Sequence, residues 1–454
     1  MGSYRKKNLL PPPVMPVAGF GALILVGSLT LRALPLTNGS SLPFIDALFM
    51  ATSASCVTGL TLYDVGSQFS PWAQGTLLFL IQVGGLGIML LSTVLLMALG
   101  QRVSFQSRFL IQDTYTYGPS AHLGSFIVQV IVFTVTIECA GSVLLFCGFV
   151  NHMPWDQAVF HAVFHSVSAF CNAGFSLFSD SLMGYRDSPL VILVVAGLII
   201  LGGIGFLVLH EVVRAVRLRR PWRRLSLHSK LAISSTVFLA SAGTFLFLAG
   251  EWNATLAGLP FSTKLLASFF QSITPRTAGF NSLDFSQMKD LTILGTLFLM
   301  FVGACPGSTG GGVKTTTVAV LLAISRSRLR GSPCVYAFHR SLSDETQRRA
   351  FSVFVLSALV VIMGTAFLAG TELGPLSIEE SRGRFLEILF EATSAFGTVG
   401  LSLGATARLT FWGKMTVIGL MFIGRLGPLV LAMAIQPRKR ASSYEYAEEP
   451  VMIG

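Results

Sequence analysis

One short apolar motif occurs four times in the chain, and a chain that repeats it is expected to fold as four like units. The copies are Phe49–Thr61 (FMATSASCVTGLT), Phe164–Ser176 (FHSVSAFCNAGFS), Phe270–Asn281 (FQSITPRTAGFN) and Phe390–Ser402 (FEATSAFGTVGLS). Each opens on Phe, any residue, Ala or Ser, an apolar residue or Thr, then Ser or Thr; each closes on Gly, Leu or Phe, then Thr, Ser or Asn. The closing glycines are Gly59, Gly174, Gly279 and Gly400. They follow the Phe by ten residues in three copies and by nine in the third, so that copy is one residue short or its helix is offset. A dozen residues cannot cross a bilayer, which takes roughly 20 apolar residues. An apolar window precedes each copy and another follows it. Each unit therefore reads as span, half-membrane helix, extended loop, span.

The apolar windows are Val17–Leu36, Gly75–Leu99, Phe126–Val150, Val191–Leu209, Leu231–Ala249, Phe351–Ala369 and Met415–Ile435. The charge pattern agrees with them. Of 32 Lys and Arg, 21 fall in Arg5–Lys7, Arg102–Arg108, Arg214–Lys230, Arg326–Arg349 and Arg438–Arg440, whereas most acids sit in the alternate loops. Basic residues in every second loop mark the cytoplasmic side. Both termini are thus expected inside a cell membrane, with an even number of spans. The expected fold is all-α and membrane-integral, with eight full spans and four half-helices around one central pore. Its parts are a cytoplasmic N-terminus (1–13), four parallel units (14–100, 101–219, 220–330 and 331–436) and a cytoplasmic tail (437–454). Such placement explains a net charge of +11 without nucleic acid. The basic stretch Arg214–Lys230 also suits anionic membrane lipid, although topology alone accounts for it. Six scattered cysteines give neither a disulfide framework nor a metal site, and no acid–base constellation suggests an enzyme.

Irregular backbone at membrane depth must be buried in protein or line a water-filled path. Four such loops imply a path, and rings of backbone carbonyls can replace the hydration shell of a cation such as K⁺. The candidate filter residues are Cys56, Val57, Thr58 and Gly59; Cys171, Asn172, Ala173 and Gly174; Arg276, Thr277, Ala278 and Gly279; and Gly397, Thr398, Val399 and Gly400. K⁺ is the expected ion at these residues. Arg276 is expected to point away from the axis and pair with an outer acid such as Asp284. Glu391 reads equally as a satisfied buried acid or as a negative field near the mouth.

The second spans carry glycine runs read as being in register: Gly84–Gly87, Gly202–Gly205, Gly311–Lys314 and Gly424–Gly427. Between Asp290 and Arg326 the apolar stretch is too long for one straight span. Its centre, Cys305, Pro306, Gly307, Ser308, Thr309, Gly310, Gly311, Gly312, Val313 and Lys314, should break the helix. The spacing resembles a nucleotide-binding loop, but Val313 separates Gly312 from Lys314 and no strand precedes it. Lys314 and Arg425 fall at corresponding depths, where a cation is presumed functional. Together with Cys305, Pro306, Gly307, Ser308, Thr309, Gly310, Gly311 and Gly312 they are the candidate gating residues, with the Lys314 segment blocking a path that Arg425 helps to hold shut.

These motifs, the stretch Arg276–Asn281 (RTAGFN) above all, resemble the superfamily of Trk, Ktr and HKT potassium transporters, over Pro16 to about Ile435. The resemblance implies K⁺ uptake as a non-enzyme, with one filter glycine per unit and an intramembrane gating loop. A Ser at the first filter position would have suggested Na⁺; a Na⁺ or mixed-cation transporter of the same fold is the alternative. No spans precede the first unit, which makes the chain most similar to the KtrB-type membrane subunits. Similarity then implies a homodimer, a cytoplasmic nucleotide-binding ring of KtrA-like regulators and, left open, Na⁺ dependence as a symporter. The tail Ala441–Gly454 reads equally as mobile or as docked on a partner.

Overall fold

A computed structural model describes residues 14–87, 123–219, 221–332, 334–374, 377–381 and 383–428. The basic segments at 5–7, 102–108 and 438–440, the end of the first unit's second span and the tail lie outside the described residues.

Long, mostly apolar runs form the leading helix of each unit: α1 (Val14–Ala33), α4 (Leu123–Phe149), α8 (Leu227–Gly250) and α12 (Asp344–Leu368). Ser226 and Ser343 start the last two by accepting hydrogen bonds from Ser229 N and Thr346 N, which are otherwise orphaned in the first turn. The repeated motifs form short helices: α2 (Phe44–Ser55), α5 (Trp155–Phe170), α9 (Phe261–Ile273) and α13 (Arg384–Gly397). Pro43, Pro154 and Pro260 stand just before the first three, where the chain is extended and the helix has not begun. The following helices are α3 (Pro71–Gly85), α6 (Pro189–Ile204) continued by α7 (Phe206–Arg217), α10 (Asp290–Phe301) continued by α11 (Thr315–Leu329), and α14 (Phe411–Leu426).

Among the described residues, Ile127–Phe149, Leu227–Gly250 and Asp344–Leu373 are long and apolar enough to cross a membrane, and the pair α6–α7 makes a fourth if it counts as one span. Their outer faces expose Val128, Ile131, Val132, Val237, Phe238, Phe245, Ile362 and Met363. Faces that apolar need an apolar solvent.

Among the described residues the following helices are interrupted, so that Val191–Leu209 is not one straight helix. α6 and α7 meet at 104° on Gly205, whose φ is 95°. Gly87 (φ 88°) and Gly427 (φ 82°) take the same left-handed turn after α3 and α14. In the third unit the break is wider, running from Val302 to Lys314.

The four units close into a ring. α3 packs on α2 and on α5 of the next unit, α6 on α5 and α9, α10 on α13, and α14 on α13 and back on α2. Lys414 Nζ, 2.6 Å from Asp46 Oδ1, ties the fourth unit to the first, and Tyr63 donates to the other Asp46 oxygen at 2.7 Å. Gly84, Gly202 and Gly424 let the following helices touch their own short helices, since a Cβ at each would overlap the carbonyls of Ser55, Phe170 and Phe396. The third unit departs from the expected register. Gly311–Lys314 is returning loop, not helix, and it lies against the fourth unit.

Candidate functional site

Each short helix ends at the repeated loop, with C-caps at Cys56, Cys171, Thr274 and Thr398. The negative ends of four helix dipoles therefore meet there. In every loop the backbone alternates in hand. Val57, Asn172, Thr277 and Thr398 have φ of 56°, 59°, 70° and 50°, while Gly59, Gly174, Gly279 and Gly400 have 95°, 69°, 77° and 91°. Thr58, Ala173, Ala278 and Val399 between them keep ordinary negative φ. In an extended strand of one hand successive carbonyls alternate sides; alternation of hand turns them to the same side. Three of the four non-glycine residues are β-branched, where positive φ costs about 1–3 kcal/mol. This second column of positive φ, at residues other than glycine, is a finding of the structure.

The strain is offset by bracing. Ser53 and Ser394 accept from the amides of Gly59 (3.1 Å) and Gly400 (3.2 Å). Ser168 and Thr274 donate instead to the carbonyls of Phe175 (2.7 Å) and Phe280 (2.6 Å). The backbone carbonyls of the same four residues accept from Thr58, Ala173, Ala278 and Val399. This is the Ser or Thr column of the motif, visible in the sequence but given no role by it. The residue three places earlier braces the chain beyond the loop in three units: His165 to Ser176 (3.0 Å), Gln271 to Leu283 O (3.0 Å), and Glu391, which accepts from Ser402 (2.7 Å) and Thr406 (2.5 Å). Glu391, fully buried with both oxygens bonded to hydroxyls, is a satisfied structural acid. The third copy is short by one residue between Thr274 and Thr277; its two positive-φ residues keep the spacing of the other units.

The loops converge. A Cβ on Gly59 would meet the carbonyl of Ala173 and lie 3.1 Å from Gly174 Cα; one on Gly174 would lie 2.7 Å from Ala278 O and 2.9 Å from Gly279 Cα. On Gly279 it would meet Val399 O, and on Gly400, Thr58 O, 2.9 Å from Gly59 Cα. Each loop thus abuts the next and the fourth returns to the first. The buried hydroxyls of Thr58 and Thr398 have no hydrogen-bond partner among the described residues.

The Val302–Lys314 loop lies against this ring. A Cβ on Gly310 would overlap Thr277 Oγ1, and one on Gly311 would overlap Thr398 Oγ1; Gly312 stands against Gly397. The loop is held from the second unit by Cys305 N to Gly203 O (3.0 Å), Thr309 N to Gly202 O (3.2 Å) and Phe206 N to Gly307 O (3.0 Å). Within the loop, Ser308 donates to Cys305 O, and Pro306 O stands 2.6 Å from the Cβ position of Gly205. Two cations hold it as well. Lys314 Nζ donates to Gly310 O (2.6 Å), and Arg425 donates to both Thr309 O and Gly84 O, joining the third unit's loop to the first unit's helix.

The expected partner of Arg276 is corrected. Its guanidinium donates to Thr236 Oγ1 (3.2 Å) and O (3.5 Å) on α8, while Asp284 accepts from Ser286 N (2.9 Å) and Oγ (2.8 Å). The local turn already uses the acid. Glu138, a buried acid alone in the apolar α4, went unremarked in the sequence; it accepts from Gln82 Nε2 (3.1 Å) and Cys171 Sγ (3.8 Å) behind the second loop. Its lone charge in a 27-residue helix was the available signal.

Four convergent loops in an apolar helical ring, backed by a broken helix, define a membrane protein of the ion-conducting kind. The chain belongs to the TrkH family of cation transport proteins, which matches residues 20–444. It is 39% identical over 98% of its length, and 97% of the relative's, to Ktr system potassium uptake protein B of Bacillus subtilis. It is 36% identical to the potassium/sodium uptake protein NtpJ of Enterococcus hirae, over 99% of each chain. Its fold matches the potassium transporter TrkH of Vibrio parahaemolyticus with a TM-score of 0.73, at 21% identity, over 96% of this chain and 86% of that one. These relatives are transporters, not enzymes.

Proposed function

We propose that this chain is the membrane subunit of a Ktr-type system and takes up K⁺ through a carbonyl-lined filter. The reading rests on the closed ring in which each loop, alternating in hand, sets its glycine against the next loop's backbone. Such a ring offers oxygens in place of an ion's hydration shell, with four helix C-termini adding a negative field. The filter residues are those of the four loops, and K⁺ is the cargo. The Val302–Lys314 loop is the gate, held by Lys314 and Arg425. Eight crossings, four of them broken, make up units 14–100, 101–219, 220–330 and 331–436, with both termini in the cytoplasm of a cell whose plasma membrane carries the protein. A homodimer and a KtrA-like nucleotide-binding ring complete the system. The name of the Enterococcus relative supports a second reading, a Na⁺ or mixed-cation transporter of the same fold.

Growth of a host lacking its own K⁺ uptake systems, at limiting K⁺, tests the assignment. The wild type should restore growth, and Gly59→Ser, Gly174→Ser, Gly279→Ser and Gly400→Ser should each impair it. Rescue by all four variants at the wild-type level would remove the filter reading.

A further inference from the structure

α7 is not needed to build the ring, yet it carries the most sharply two-sided surface of the following helices. Val208 is buried against Ala232 and Cys305, with Val212 beside it. Arg214 and Arg217 lie on the opposite face, followed by Arg219, Arg223 and Arg224, all exposed and none in an ion pair among the described residues. Apolar residues that cover nothing flank the cations: Val213 is 48% exposed, Val216 73% and Trp222 46%. The nearby acid, Glu211, is engaged by Ser226 N (2.7 Å), Ser226 Oγ (2.6 Å) and Ser229 Oγ, which fold the connection back onto α8. The 104° bend at Gly205 sets α7 almost at right angles to the apolar α6, so that with α6 along the bilayer normal α7 lies near the bilayer plane. A basic, apolar-edged helix lying in that plane fits the boundary between headgroups and acyl chains.

We propose that α7 and the Pro221–Arg224 turn bind anionic phospholipid headgroups, and that this binding holds the Val302–Lys314 loop against the ring. The link is direct. The first amide of α7, Phe206 N, donates to Gly307 O (3.0 Å), and Val208 packs on Cys305. Lipid that fixes α7 fixes the loop's second-unit support. The coupling rests on the reading of this loop as the gate; the lipid site does not. Charge complementarity selects anionic over zwitterionic lipid, with about a fivefold gain in partition for each Arg near the surface.

The test uses the purified full chain in vesicles of phosphatidylcholine, alone or with phosphatidylglycerol. Fluorescence of Trp222, isolated by subtracting the Trp222→Phe variant, reports which brominated lipid lies beside it. Brominated phosphatidylglycerol should quench it severalfold more than brominated phosphatidylcholine. The combined Arg214→Gln, Arg217→Gln, Arg219→Gln, Arg223→Gln and Arg224→Gln variant, checked for folding by its thermal unfolding, should lose that preference. Equal quenching by both lipids in the wild type overturns the site. So does an effect of the arginines that emerges only when a cytoplasmic protein is added, since that assigns the face to protein. For the coupling, phosphatidylglycerol should lower wild-type K⁺ flux about two- to threefold and leave the Arg variant nearly unaffected. Flux indifferent to lipid, while deletion of Cys305–Gly310 still raises it, overturns the coupling alone. A deletion without effect on flux overturns the gate reading and the coupling with it, and the quenching result still decides the site.

Discussion

The ring and the loop against it are both irregular backbone inside a helical bundle, but they are held in opposite ways. Each ring loop is braced by its own short helix, through a Ser or Thr five or six residues before the glycine, and the pattern recurs in four units. The Val302–Lys314 loop, besides bonds of its own such as Lys314 to Gly310 O, leans on other units: Gly202, Gly203 and Phe206 of the second and Arg425 of the fourth. Local bonds repeated in every unit make a part that stays in shape. A segment held by a few long-range bonds can leave as a whole when those bonds are exchanged. On the proposed reading, the first part selects the ion and the second switches its passage.

The largest effect should come from breaking the ring. Gly59→Ser drives a side chain into Ala173 O, and K⁺ uptake in vesicles should fall on the order of a hundredfold, as expected if two charge-assisted contacts are lost at about 1.5 kcal/mol each. Unchanged K⁺ uptake and K⁺ over Na⁺ preference would place selectivity elsewhere. Arg425→Gln removes charge-assisted bonds to Thr309 O and Gly84 O, so basal flux should rise about tenfold while selectivity is kept. A loss of selectivity in that variant would merge the two parts that the comparison separates. Ser53→Ala leaves the buried Gly59 amide unpaired, which costs about 1–2 kcal/mol and should appear as a lower Tm with a severalfold Na⁺ leak. A variant as stable and selective as the wild type would show that the brace is redundant.

The smallest effect lies in the loop beyond the ring. Partial burial pushes the Asp64 carboxyl up, but hydrogen bonds from Ser179 Oγ, Ser67 Oγ and Gly66 N outweigh it and hold the group below its ordinary range. A depressed carboxyl stabilises the fold above its unfolded pKa, and that contribution is lost as pH falls through the folded value. Asp64→Asn should therefore lower Tm slightly at neutral pH and leave it unchanged in strong acid. A deficit equal at both pH values would refute the linkage.

Much of this was legible in the residues. The four motifs located the short helices, their closing glycines marked the ring, and Pro306 with its neighbouring glycines announced the break in the third unit. Lys314 and Arg425 stood out as cations in apolar surroundings, and both reach the same loop. Three things were not legible. Positive φ at Val57, Thr277 and Thr398 runs against the preference of β-branched residues, so no local rule announces it. The glycine run Gly311–Lys314 looks like its counterparts, yet it belongs to the loop because α10 has already ended at Phe301. Arg276 found Thr236 rather than Asp284 because a two-residue turn had taken the acid first.

By itself, then, the sequence determined the unit: its apolar lengths, its short helix, the glycine that ends the loop and the Ser or Thr that braces it. Each of these acts within one helix or one loop, where pattern and local bonding coincide. Only the tertiary structure decided how the units meet: Gly59 against Ala173, Gly400 back against Thr58, and Arg425 between a loop and a helix 116 and 341 residues away. Contacts at that separation depend on how whole helices pack, and no window of the chain contains them.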